Sequence, residues 1–217
     1  MERRAAEHGL KFHAMSHIQL WAQPWWVNLL ILVPPFAFLL WRPSGLQLGW
    51  RRLTLIAFFA AAFGFGEAAV VVYLRAAVGL LPGFQGTLAD VRRSAPEFYK
   101  QAEALKQFPQ SLLTMEVLRE ATTMFMLFSV ALLAAAKPRE RWAAFFWAFA
   151  IWDAAYYLSL WMTIGWPASL KDVDVLFLIP VPWVAQVWFP LLVSGMTILA
   201  IILSVFPKAL GNHRSSR

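Results

Sequence analysis

The 217 residues are 60% hydrophobic and only 14% charged, with a mean hydropathy of +0.57, whereas soluble domains carry about a quarter charged residues. This composition belongs to a polytopic membrane protein and excludes a water-soluble domain. The net charge of +7 lies mostly in loops and tails, so it reads as membrane topology and contact with anionic lipid, with no nucleic-acid partner expected. Cysteine is absent, which removes disulfides, thiolate metal sites and a Cys nucleophile.

Residues 1–24 carry charges and His8, His13 and His17 in place of a compact apolar core, so they do not read as a cleavable signal. They are expected to form an amphipathic segment at the membrane surface. Five apolar runs follow, at about 25–41, 53–81, 110–136, 142–165 and 175–206. Each is long enough to cross roughly 30 Å of hydrocarbon. The fold class is therefore all-α, a bundle of about five transmembrane helices over 25–206, with a basic tail at 207–217. Trp (12) and Phe (18) are abundant, as expected of aromatic belts at the bilayer interfaces.

Pro34-Pro35 is expected to kink the first span. The second begins after Arg51-Arg52 and stops at Leu81-Pro82-Gly83. A polar, partly helical stretch at 84–109 is expected to lie outside the membrane. The third and fourth spans form a hairpin across the charged turn KPRER (137–141). The fifth run opens DVDVLFLIPVPW, where Pro180 and Pro182 cannot both sit inside a regular helix. A short irregular or re-entrant piece buried by protein is expected there. No internal repeat is evident, which disfavours an inverted-repeat transporter. Arg42, Arg51, Arg52, Lys137, Arg139 and Arg141 fall on one side, together with the basic tail. The positive-inside rule then puts the C-terminus in the cytoplasm and the N-terminus outside.

The spans carry Glu67, Arg75, Glu116, Arg119, Glu120 and Asp153. An ionised side chain at mid-bilayer costs at least roughly 2.5–3.5 kcal/mol, so these groups must face one another. On antiparallel second and third spans, Arg75 and Glu116 lie at matching depth and are expected to pair. Glu67, Glu120 and Asp153 converge toward the membrane centre. Arg119, at i+3 from Glu116, is expected to pair with Glu120 or Asp153. The acids outnumber the arginines, so either some carboxyls carry protons or a cation fills the gap. These pairs can equally serve as interhelical ties that fix the bundle. A carboxylate metal site is the weaker reading, because di-iron bundles use Glu-x-x-His and no histidine lies in a span; no metal or other cofactor is expected. Gly64 and Gly66 are read as allowing close helix packing.

The acids (Glu67, Glu116, Glu120 and Asp153) are the candidate catalytic residues, and Arg75 and Arg119 the structural ion-pair partners. Tyr73, Trp152, Tyr156, Tyr157, Trp183, Gln186 and Trp188 are the candidate substrate-binding residues. A carboxylic acid in an aromatic-lined pocket is a general acid, and aromatic faces stabilise a passing carbocation. That chemistry suits isomerisation or cyclisation of a lipophilic sterol- or isoprenoid-like substrate.

The order GFGEAAVVVYLR, TMEVLREATTMFMLFSVALL, KPRER, WDAAYYLSL and VWFPLLVSG, over roughly 53–206, resembles the emopamil-binding protein and sterol isomerase group, with its EXPERA-type membrane fold. The resemblance implies a lipophilic pocket and matches Glu116 to that group's acidic catalytic position. Glu67 falls where the isomerases use histidine, Val71 where they have a second glutamate, and Gln186 is the nearest amide to their last-helix asparagine. The fungal membrane terpene cyclases, which also rely on paired carboxyls, offer a similar analogy. Two further readings stand beside the enzyme. One is a lipid-binding protein or accessory subunit, whether in a homo-oligomer or a larger membrane complex. The other is a proton-coupled transporter using the same carboxyls.

Overall fold

The computed structural model describes residues 21–77 and 110–205, with side chains in the second helix described as far as Tyr73. The surface segment up to residue 20, the polar loop 84–109, the basic tail 207–217 and the Arg75 side chain lie outside the described residues. Among the described residues, helices are α1 (Val33–Trp41), α2 (Trp50–Ala77), α3 (Gln110–Ala134), α4 (Pro138–Ile164) and α5 (Trp188–Val205). A 3-10 helix (Trp25–Leu32) leads directly into α1, and two short strands, β1 (Val173–Phe177) and β2 (Trp183–Gln186), precede α5.

The helices α3, α4 and α5 and the Trp50–Tyr73 part of α2 are long and apolar enough to cross a membrane. Their outward side chains are large and apolar, among them Phe58, Phe125 and Leu133, a surface that suits lipid and not water. The first apolar stretch is shorter and changes its winding at the prolines. Pro34 and Pro35 have no N–H to return to Leu30 and Ile31. The backbone here is wound by i+3 bonds, the Val33 N–H donating to the Leu30 carbonyl. The 3-10 helix rises about 2 Å per residue, so Trp25–Trp41 still extends about 30 Å, close to the hydrocarbon thickness.

α2 and α4 form the most extensive helix pair, with α5 and α3 also against α4 and α1 against α5. Small residues make the α2–α4 approach possible: Ala143, Ala144, Ala148 and Ala150 of α4 are all fully or almost fully buried. The Trp147 indole donates to the Leu53 carbonyl across the pair at 2.9 Å. At Gly64 a Cβ would lie 2.6 Å from the Trp152 carbonyl oxygen and 3.1 Å from Ala155 Cβ, so only glycine fits. Gly66 meets nothing within 4 Å and has no part in the packing, a correction to its expected role. α4 starts at Pro138 in its first turn and ends at Gly165, whose φ of +74 suits the left-handed stop.

The irregular piece before α5 is a β-hairpin. β1 and β2 pair antiparallel, with Asp174 opposite Ala185 and Val175 opposite Val184 and a bulge between Val175 and Phe177. Gln23 extends the pairing by exchanging backbone hydrogen bonds with Val184 at 2.8 and 2.7 Å. Phe177 stacks on Phe149, ring centroids 6.3 Å apart. Phe149 lies about 17 Å along α4 from its start, so the hairpin reaches the middle of the bundle.

Replacing Gly64 with Ala is expected to destabilise the protein by about 1–3 kcal/mol through the overpacked α2–α4 contact, whereas Gly66→Ala leaves stability unchanged or raises it by up to about 1 kcal/mol. Unfolding of the two variants in detergent, followed side by side, checks the contrast.

Candidate functional site: an acidic cavity inside the bundle

Three carboxyls at the centre come from three different helices, as antiparallel packing requires. Glu67 of α2, Glu120 of α3 and Asp153 of α4 all line one cavity of about 100 Å³, together with Arg119 and Asp174. The depth-based expectation that Glu67, Glu120 and Asp153 converge agrees with this arrangement. The volume is enough for several water molecules.

The pairing inside the cluster differs from the expected one. Arg119 forms an ion pair with Glu67 across the α2–α3 contact. It also binds Glu116 one turn before it, at 2.8 Å from Nη2 to Oε2. Thr123, one turn after Arg119, donates its hydroxyl to Glu67 at 2.7 Å. Arg119 is therefore committed to Glu67 and Glu116, and not to Glu120 or Asp153 as expected. The reason is rotational: Glu116, Arg119 and Thr123 occupy one stripe of α3 at i, i+3 and i+7, and that stripe faces α2. Glu116 does not line the cavity. Its expected pairing with Arg75 falls on a side chain outside the described residues.

Glu120 and Asp153 are held by neutral donors. The Leu178 backbone N–H, just beyond β1, donates to Glu120 Oε2 at 2.8 Å. The Ser194 hydroxyl of α5 donates to Asp153 Oδ2 at 2.8 Å. Among the described residues neither acid makes a salt bridge. No three of the described His, Asp and Glu residues are arranged to hold a metal ion.

Asp174 completes the cavity, and reading the sequence missed it by counting it with the loop charges. It is 2% exposed. Tyr157 donates to its Oδ2 at 2.7 Å. The signal was the alternation in DVDVLF, where period-2 patterning before a proline-rich turn marks a strand and puts Asp174 on its inner face. Thr123 was legible from its helical spacing to Arg119. Ser194 was not legible, because nothing in the chain before it indicates which residue of α4 it meets.

The aromatic lining is partly as expected. Trp152, Tyr156, Tyr157 and Trp183 border the cavity. The indole N–H groups of Trp152 and Trp183 are buried with no hydrogen-bond partner among the described residues. Unsatisfied buried donors are uncommon, and two on one small cavity mark it as a place where an acceptor, from a ligand or from water, can bind. Tyr73 is 71% exposed and faces outward from α2. Gln186 and Trp188 are bonded to each other at 2.7 Å, beside the cavity rather than in it. The substrate-binding roles expected for Tyr73, Gln186 and Trp188 are therefore corrected: α2 turns the first outward, and the other two, at the end of β2 and the start of α5, are bonded to each other outside the cavity.

A larger apolar groove of about 630 Å³ adjoins the cavity. The two share Leu30, Phe149, Phe177, Trp183, Val193 and Ser194. Beyond these the groove is lined by Met124, Phe125 and Phe128 of α3 and Trp142, Phe145 and Phe146 of α4. Phe125 is largely exposed on its rim, so the groove is open from the side.

Arg119→Gln is expected to cost about 3–5 kcal/mol, because it leaves buried Glu67 without its cation. The double variant Arg119→Gln/Glu67→Gln recovers most of that loss, and a double-mutant cycle on unfolding in detergent measures the coupling. No family model matches this chain, and neither a curated protein nor a solved structure matches it.

Proposed function

We propose that this chain is an intramembrane acid–base enzyme that isomerises or cyclises a lipophilic, sterol- or isoprenoid-like substrate. The observation that carries this reading is the junction of two unlike spaces. A cavity bearing Glu120, Asp153 and Asp174 borders an apolar groove large enough for a hydrocarbon, with side chains common to both walls. The resemblance to the EXPERA-type isomerases is kept as part of the proposal, with a different division of labour among the acids.

Among the acids of the cavity Glu67 is the poorest candidate for proton transfer, since Arg119 and Thr123 already occupy its oxygens. Glu120 and Asp153 have no cationic partner among the described residues, so a proton is the simplest neutraliser. One of the two, protonated, gives its proton to a substrate double bond and becomes a carboxylate. The carbocation formed lies among Phe149, Trp152, Tyr156 and Trp183, whose faces favour a cation. The other acid, as carboxylate, takes a proton from a neighbouring carbon. The double bond is then shifted or a ring is closed, and the number of protons is unchanged. The unpaired indole donors of Trp152 and Trp183 fit an oxygen of the substrate or a bound water.

The basic residues Arg42, Arg51, Arg52, Lys137, Arg139 and Arg141 lie at one end of the bundle, at the α1–α2 loop and the α3–α4 turn. This supports placing that end, and the C-terminus, in the cytoplasm. The open groove also fits a second reading, a lipid-binding protein without turnover.

Incubation of the purified protein with sterol and polyprenyl substrates in heavy water separates the two. The enzyme reading expects deuterium in recovered lipid. It expects a loss of about 10²–10⁴-fold in rate for Glu120→Gln or Asp153→Asn and little change for Tyr73→Phe. Binding without deuterium incorporation would leave the lipid-binding reading.

A further inference from the structure

The apolar groove continues past Phe145. A second section of about 510 Å³ shares Val33, Trp142 and Phe146 with it and ends at Arg139. Along α4 the floor is a single stripe, Arg139, Trp142, Phe146, Phe149 and Asp153, at the three- and four-residue spacing of one helix face. The opposite wall runs antiparallel, with Leu30 beside the acid end and Trp41 beside Arg139. Phe36 and Leu40 on the rim are 64% and 58% exposed, so the channel is open to lipid along its side.

The two ends carry opposite charge. The acid cavity closes one of them. At the other, Arg139 donates to the Ser44 hydroxyl and to the Leu40 and Trp41 carbonyls, all neutral acceptors. A guanidinium has five N–H donors, so some remain for a ligand. Among the described residues, the Lys137 ammonium donates to the neutral Gln47 amide oxygen alone, at 2.9 Å. Arg42 lies 5.7 Å from the Phe38 ring centroid. Glu140 is the acid closest in sequence and makes no salt bridge among the described residues.

The chemistry of the far end narrows the occupant. Arg139 and Asp153 are separated by about 21 Å of helix rise, so a chain anchored at Arg139 must extend over that distance to reach the acids. An alkene at its far end is what a carboxylic acid can protonate; an isoprenyl chain ends in a double bond, and the acyl chain of an ordinary phospholipid ends saturated.

We propose that the groove binds a long-chain isoprenyl phosphate, with its phosphate on Arg139 and its hydrocarbon end in the acid cavity. This names the substrate class of the enzyme proposed above and rests on that reading for the chemistry at the far end, but the binding itself does not require turnover. A phosphate takes paired donors from a guanidinium, and the channel beyond it is aromatic and aliphatic as far as Phe149.

The test uses the full chain in nanodiscs of zwitterionic lipid, titrated with geranylgeranyl phosphate, geranylgeraniol or inorganic phosphate. Binding is followed by tryptophan emission, since Trp41 and Trp142 line the channel. Geranylgeranyl phosphate is expected to bind about tenfold or more tightly than the alcohol, and inorganic phosphate is expected not to compete at the same concentration. Arg139→Gln brings the phosphate lipid to the affinity of the alcohol. Val33→Trp fills the waist of the channel without touching Arg139 and weakens both lipids, which keeps the test decisive if Arg139→Gln fails to fold.

Equal affinity for alcohol and phosphate would overturn the proposal, as would indifference to Val33→Trp. Competition by inorganic phosphate at equal strength would show an anion site without the chain channel and overturn it too. Deuterium transfer to neutral isoprenoids without phosphate-dependent binding would remove the phosphate lipid and leave the enzyme. Tight, Arg139-dependent binding without deuterium transfer would do the reverse.

Discussion

Arg119 is the group on which the interior of the bundle depends. Its guanidinium joins Glu67 of α2 to Glu116 of its own helix, and Thr123 adds a hydroxyl to the same carboxylate. A buried anion without a cation is costly, so this tie sets the rotation of α3 against α2. Once that rotation is set, the neighbouring Glu120 points away from α2 into the space beneath the hairpin. The same constraint that neutralises one acid thereby exposes another to the cavity.

The hairpin depends on that outcome. Backbone at the depth of Phe149 must find its hydrogen bonds within the protein, because lipid supplies none. β1 and β2 satisfy each other, Gln23 satisfies Val184, and the N–H of Leu178 is taken by Glu120. Irregular structure inside the bundle is thus sustained by the carboxylate that Arg119 leaves unpaired. Asp174 enters on the inner face of β1 and is met by Tyr157. The cavity is consequently assembled from α2, α3, α4, α5, the 3-10 helix and the hairpin.

Access and chemistry are separated along one helix. The stripe on α4 runs from Arg139 through Trp142, Phe146 and Phe149 to Asp153, from basic to apolar to acidic. α1 forms the facing wall. It follows this stripe because its C-terminal carbonyls are bonded by Arg139 and because it packs on α5. Close approach of α2 behind α4, allowed by Gly64, leaves the opposite side of α4 free to face the groove.

The chain by itself determined the class, the apolar spans and the meeting of Glu67, Glu120 and Asp153. These follow from local quantities: hydropathy over a membrane thickness, and a rise per residue that converts position into depth. Depth, however, is one coordinate of three. Which way each acid turns, and so whether Arg119 takes Glu67 or Asp153, depends on the rotation of each helix about its axis. That rotation is decided by packing between helices, at Gly64 and along the alanines of α4. The same holds for Tyr73, which has the right depth and the wrong face. Asp174 and Ser194 joined the site only through the hairpin and α5, whose contacts with α4 are long-range. The tertiary structure alone decided that two carboxyls would be left without an arginine among the described residues, beside an apolar groove, because that requires several helix faces to be fixed at once.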